Sequence, residues 1–208
     1  MTARDPNIEA EVRAIVRRVV DGLPEPGVNA NPGFAFNEKG NDSPQNDGPQ
    51  SGSVEDIRSI AIGADHGGFA LKERLAFRLR EQGYTVDDCG TDSTDAVDYP
   101  DIAVEVSERV ASGSSQVGIM IDGAGIGSSM AANKVAGVRA ALCHDLSTAR
   151  NAREHNHANM LTLGAGLIGD SLAWQITLEF LATPFGEGRH ARRVAKIDDL
   201  DRVRAATR

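Results

Sequence analysis

Apolar and polar positions change their spacing twice along this chain, dividing it into three regions. Over residues 5–23, Ile8, Val12, Ile15, Val16, Val19, Val20 and Leu23 recur at helical spacing, while Glu9, Glu11, Arg13, Arg17, Arg18 and Asp21 take the other side. Asp5 suits a helix cap and Pro6 the first helical position. A helix this short is marginal alone in water, so its apolar stripe needs a partner surface. From 24 to 55 the periodicity disappears. Pro, Gly, Asn and Ser crowd a stretch with too little apolar surface to order itself, which predicts a flexible linker.

From residue 56 short apolar runs alternate with helical stretches, predicting one domain over 56–208. The strands expected are 57–64, 84–89, 117–122, 138–143 and 160–165. The helices fall near 69–82, 99–112, 126–134, 145–155 and 169–182. This alternation predicts an α/β three-layer sandwich with a five-stranded parallel sheet covered on both faces. A flavodoxin-like (Rossmann-like) strand order is expected, with the first and third strands adjacent and a ligand crevice where their connections diverge. The two most unusual loops follow those strands: GADHGGF at 63–69 and DGAGIG at 122–127. The tail, 186–208, has a basic cluster and then a helix. Val194, Ile197, Leu200 and Val203 would pack it on the domain itself or on a neighbouring subunit.

Composition narrows the classes. Aromatics at 4% and 22 glycines suit an α/β protein with tight turns rather than a β-sandwich. A formal charge of −8 argues against nucleic acid as a partner. No apolar run is long enough to span a bilayer, and the first residues lack the apolar core of a secretory signal. Cys89 and Cys143 form no CxxC pair and read as buried small apolar residues in a reducing cytosol.

Candidate chemistry concentrates in four places. Asp65 and His66 follow a buried strand directly, beside Gly67 and Gly68; Asp65 suits a ligand site or a helix cap. Asp122 leads into Gly123, Gly125 and Gly127 at a helix start. That pairing supplies a base beside backbone donors able to hold an oxyanion, or a cap on a structural turn. As a dinucleotide fingerprint the loop fits poorly, because it follows the third strand. His155 and Asn156 lie in REHNHAN; His144 and His157 are near, but no spacing matches a metal-ligand set, so no metal is expected. Arg189 and Arg193 are four apart on one helix face, a fork suited to phosphate or merely a solvated basic face. A base, oxyanion donors, an acid/base pair and a phosphate clamp are what moving a proton between adjacent carbons of a sugar phosphate requires, with no cofactor.

On the segments IAIGADHGGFALKE (60–73), DYPD (98–101), GAGIGSSMAANKVAGVRAALCHD (123–145), AREHNHANMLTLGA (152–165) and TPFGEGRHARRV (183–194), the chain resembles the type B ribose-5-phosphate isomerases and galactose-6-phosphate isomerase subunits. The resemblance implies aldose–ketose isomerisation through an enediol by a homodimer or tetramer with sites built from two subunits. It implies that Asp65 and His155 open the furanose ring. His66, Arg189 and Arg193 would hold the phosphate and Tyr99 would line the substrate pocket. Asn156 and the backbone from Gly123 to Gly127 would stabilise the enediolate. Many members carry Cys at the position of Asp122 as catalytic base; another branch carries Glu at the position of Ser128. Ala124 replaces a common hydroxyl residue. Asp122 is therefore the expected base, since a carboxylate is ionised at neutral pH while a free thiol has a pKa of about 8.5. One galactose-6-phosphate isomerase subunit shares this Asp, as do sequences linked to erythrulose 4-phosphate. Ribose 5-phosphate is the first substrate expected; a tetrose or hexose phosphate, or silent sugar-phosphate binding, are the alternatives.

The helix at 5–23 with its linker resembles the encapsulation peptides of bacterial microcompartment cargo, implying docking on a shell or cargo protein. Self-association and an interfacial membrane helix are the competing readings, the latter weakened by an evenly mixed polar face.

Overall fold

The computed structural model describes residues 56–206, so the helix and linker expected at 5–23 and 24–55 lie outside the described residues. Five strands form one sheet: β1 Ser59–Ala64, β2 Thr85–Asp88, β3 Val117–Asp122, β4 Ala140–Leu142 and β5 Met160–Gly164. The helices are α1 Phe69–Glu81, α2 Tyr99–Ala111, α3 Ile126–Ala132, α4 Leu146–Asn156, α5 Asp170–Ala182 and α6 Arg189–Ala206.

Strand alternation decides what each face meets. Ile60, Ile62, Ile119, Ile121, Leu161 and Leu163 point to one side, where Leu71, Leu75 and Leu79 of α1, Ala149 and Ala152 of α4, and Ile176 and Phe180 of α5 bury them. Ala61, Met120 and Met160 point to the other, against Ala103 and Val106 of α2 and Ala132 of α3. Each large side chain buried this way contributes about 1.5–3 kcal/mol. The result is the expected three-layer sandwich.

All strands are parallel, in the order β2-β1-β3-β5-β4. β1 and β3 are neighbours as expected. The last two strands are exchanged relative to the flavodoxin order, in which β4 would follow β3. Burial explains the exchange. β5 is buried along its whole length and needs cover on both faces, whereas β4 is three half-buried residues suited to a rim.

The exchange leaves the site loops where the sequence placed them. Residues 65–68 and 123–125 meet at the carboxyl edge, where the Asp65 N–H donates to the Ile121 carbonyl at 3.2 Å. α6 lies back on its own domain. Val194 is buried, Arg139 pairs with Asp198 at 2.9 Å, and the Gly137 N–H donates to Asp201 at 2.8 Å. Ile197, Leu200 and Val203 remain exposed on it. No helix among the described residues is long and apolar enough to cross a membrane.

Candidate active site

The carboxyl edge carries the first group of side chains. Asp65 is 7% exposed, and its Oδ1 accepts the Gly68 N–H at 3.0 Å, closing the turn into α1. His66 stands exposed on that turn, its Nδ1 accepting the Val97 N–H at 3.3 Å. An Nδ1 that accepts leaves the ring proton on Nε2, ready to donate to an anion.

Asp122 ends β3 and is 5% exposed. Its Oδ1 accepts from the backbone N–H groups of Ala124, at 2.8 Å, and Gly125. Its Oδ2 accepts from the Ser128 N–H at 3.1 Å and the Ser128 hydroxyl at 2.5 Å. Gly125 makes the turn possible: its φ is +76°, and a Cβ there would lie 2.5 Å from Leu142. Gly127 is required for a different reason, since a Cβ would collide with the Tyr99 ring at 2.5 Å. Tyr99 thus lies against the loop, half exposed at the start of α2.

Backbone groups expected to face a substrate oxyanion are in part committed to Asp122. The N–H groups of Ala124, Gly125 and Ser128 satisfy its carboxylate. Those of Ile126 and Gly127, in the first turn of α3, have no acceptor within the helix.

The second group lies at the amino edge. α4 starts at a capping box between Asp145 and Thr148 and ends at His157, in a left-handed conformation with φ +48°. Its last turn presents His155 and Asn156. His155 Nδ1 lies 2.9 Å from the Asn151 amide nitrogen, one turn back. Its ring stacks parallel on His190 of α6, centroids 4.3 Å apart. Asn156 Nδ2 donates to the Asn151 carbonyl at 3.2 Å. These residues and Arg193 line a cavity of about 210 Å³. Arg189 begins α6 beside them, its Nε 3.5 Å from His190. The start of α6 adds its own positive dipole end. Burial first, then the charges of His155, Arg189 and Arg193, hold the His190 pKa below its ordinary value.

One chain does not unite the two groups. Asp122 pairs with Gly164, the last residue of β5, while His155 and Asn156 precede Met160, the first. Four strand steps separate those ends, roughly 13 Å. Asp65, His66, Tyr99, Asp122, Gly123, Gly125, Gly127 and Ser128 therefore occupy one edge of the sheet. His155, Asn156, Arg189 and Arg193 occupy the other.

Neither cysteine is poised as a nucleophile. Burial, the main cause, pushes Cys89 up to about 12 and Cys143 up to about 11. His157 stacks on Phe185 at 4.4 Å. Among the described residues no group of three or more His, Cys, Asp or Glu side chains could hold a metal ion.

The profile of the family described as Ribose/Galactose Isomerase matches residues 60–197, a span holding both groups of side chains. The chain belongs to that family. Among its relatives in this sugar-phosphate isomerase family, ribose-5-phosphate isomerase B of Escherichia coli is 40% identical over 148 residues, covering 71% of this chain and 99% of the relative. D-erythrulose-4-phosphate isomerase of Pectobacterium atrosepticum is 42% identical over 140 residues, covering 67% and 92%. The structure of Clostridium thermocellum ribose-5-phosphate isomerase B superimposes with a TM-score of 0.68 at 48% identity, covering 69% of this chain and 97% of that one. Sequence reasoning missed Asn151 as a member of the second group, and placed His190 only in the basic cluster with Arg189, Arg192 and Arg193, without its stacking on His155. The signal for Asn151 was its position four residues before His155 on one helix face.

Proposed function

We propose that this family member interconverts ribose 5-phosphate and ribulose 5-phosphate through an enediol, at a site formed where the carboxyl edge of one copy meets the amino edge of another. The observation that carries this reading is the division of one reaction's parts between two edges of a single chain. Asp65 and Asp122 supply acid/base groups and α3 supplies donors; His155 supplies a second titratable group and Arg189 and Arg193 a phosphate clamp. Two features favour a second copy as the missing half. Ile126 and Met130 of α3 are exposed beside the first group. An open groove of about 550 Å³ along β4 adjoins the second and shares Asn151, Asn156 and Ile197 with its cavity.

In this reading Arg189, Arg193 and His66 hold the phosphate dianion by charge-assisted hydrogen bonds. Asp65 and His155 open the furanose. Asp122 then takes the C2 proton and returns it to C1, while the amides of Ile126 and Gly127 and the Asn156 side chain receive the enediolate oxygens. Three of the four donors on Asp122 are backbone groups fixed by the turn. The Ser128 hydroxyl is the one that leaves by a bond rotation, so it is the donor the substrate C–H displaces. No metal or cofactor enters these steps. Mixing the protein with ribose 5-phosphate in D₂O tests the reading: ketose formation with deuterium at C1, and exchange at C2 of the recovered aldose, are expected, and a folded protein giving neither removes this substrate.

The erythrulose-4-phosphate isomerase relative supports a second reading, a four-carbon substrate. A tetrose esterified at C4 has no hydroxyl left to close a furanose, so it needs only the proton-transfer half of the machinery. A panel of tetrose, pentose and hexose phosphates ranks the readings by kcat/KM. We further propose that residues 5–23 dock the enzyme inside a bacterial microcompartment. Residues 1–24 fused to a fluorescent protein should then concentrate in assembled shells, and diffuse fluorescence beside intact shells would count against it.

A further inference from the structure

His155 is held in a way its assignment as a ring-opening residue does not specify. Its Nδ1 faces the Asn151 amide nitrogen at 2.9 Å, one helical turn away. An amide NH₂ only donates, so Nδ1 is the acceptor and the ring proton belongs on Nε2. The orientation of Asn151 is itself fixed. Asn156 Nδ2 approaches the Asn151 Oδ1 at 3.4 Å and its backbone carbonyl at 3.2 Å, so the amide oxygen has a donor and the amide nitrogen is turned to His155. Two further contacts agree. A Glu154 carboxylate oxygen lies 3.8 Å from Nε2, on the side where a proton is favourable. His190 stacks within 1° of parallel and prevents the ring from tilting off Asn151. The charged and titratable groups around His155 are thus Glu154 from its own helix and His190 and Arg193 from α6, with Arg189 beside His190.

We propose that Asn151 is a positioning residue that fixes the neutral His155 ring with its proton on Nε2, so that the ring holds the substrate ring oxygen as a hydrogen-bond donor. Asp65 takes the C1 hydroxyl proton as the C1–O4 bond breaks and returns it to the departing oxygen as the C4 hydroxyl, so the imidazole stays neutral throughout. This rests on the isomerase reading for its consequence, but the position of the proton can be measured without turnover. A lone pair on Nε2 would instead repel the ring oxygen of a furanose. The effect is confined to cyclic substrates, because an open-chain tetrose phosphate has no ring oxygen to meet.

Asn151 is exposed, so replacing it leaves the core untouched. The test compares the full-length protein with Asn151→Asp, which accepts from Nδ1–H and moves the proton, and Asn151→Leu, which neither donates nor accepts. Nitrogen-15 long-range correlation spectra of histidine-labelled protein, assigned with His155→Gln, report which ring nitrogen is protonated. Wild type should show the proton on Nε2 and Asn151→Asp should show it on Nδ1. Turnover of ribose 5-phosphate should fall in Asn151→Asp by about 3- to 10-fold, the bias one hydrogen bond supplies. The fall on ribose 5-phosphate should exceed any fall on erythrulose 4-phosphate, which has no ring to open, and Asn151→Leu should fall between. A wild-type His155 protonated on Nδ1 overturns the proposal. So does an Asn151→Asp protein with the proton moved and ribose 5-phosphate turnover intact, which would make the ring a base. If wild type isomerises no sugar phosphate, the isomerase reading fails, and the nitrogen spectra still decide the role of Asn151.

Discussion

Ser128 donates both its backbone N–H and its hydroxyl to the same carboxylate oxygen of Asp122, at 3.1 and 2.5 Å. With Ala124 and Gly125 on the other oxygen, the carboxylate is at once the cap of α3 and the proposed base. The two roles separate in one variant. Asp122→Asn keeps the shape but turns an NH₂ toward N–H donors, leaving at least one buried donor unsatisfied. Stability should fall by about 1–3 kcal/mol. Turnover should fall by about 100-fold or more if Asp122 is the base. Denaturant unfolding and an isomerase assay read the two effects independently. Unchanged stability would sink the cap, and unchanged kcat would sink the base.

The separation of Asp122 from His155 across the sheet gives a complementation test. Asp122→Asn and His155→Ala should each be inactive on ribose 5-phosphate. In a two-fold dimer with composite sites, a mixed dimer regains one wild-type site and carries one doubly defective site. Random co-assembly should then restore about a quarter of wild-type activity in the unseparated mixture and about half in the purified mixed dimer. Co-expression of the two variants with separable tags, followed by assay of the mixed species, checks this. An inactive mixed dimer would place the site within one copy, against the strand geometry.

Arg193 lines the cavity beside His155, and Arg189 begins the same helix. If they clamp the phosphate, Arg193→Ala should raise KM by about 10- to 100-fold, the loss of one or two charge-assisted hydrogen bonds. Arg193→Lys should recover part of that, since a point charge keeps the attraction but not the fork. Initial-rate kinetics at two salt concentrations separate the clamp from a general field effect. A KM unaltered in Arg193→Ala would return this cluster to a solvated helix face.

Much of this architecture was legible in the chain because it rests on local pattern. β3 falls on the expected 117–122, β5 on all but the last residue of 160–165, and α6 follows the spacing of Val194, Ile197, Leu200 and Val203. Strand order was only half legible. Periodicity tells that Met160–Gly164 is buried on both sides and that Ala140–Leu142 is poor in apolar bulk, but not which of them sits on the rim. Asp122 was legible as a chemical group in a glycine loop. Its hydrogen bonds were not, because the same spacing serves a cap and a base. The distance between Asp122 and His155 follows from connectivity alone: a helix that precedes a parallel strand ends at that strand's amino edge. Asn151 was missed because an exposed Asn within a helix carries no pattern until its partner is known to matter.

His190 sets the expected response to acid. Its pKa is lowered by burial first and then by His155, Arg189 and Arg193, with Glu154 opposing. A histidine with a lower pKa folded than unfolded is protonated first in the unfolded chain. The unfolded state therefore binds more protons, and stability rises with pH in that window. Read downward, the cost begins as pH falls through the ordinary histidine value near 6.5 and grows until the lowered folded value is passed. Thermal unfolding of wild type should show a larger loss of Tm between pH 7 and 5 than His190→Gln, which has nothing to titrate there. Inorganic phosphate in the cavity should reduce the difference, because an anion beside His190 offsets the positive neighbours that oppose its protonation. Identical Tm profiles for the two proteins would mean that the stacked pair carries no strain on protonation.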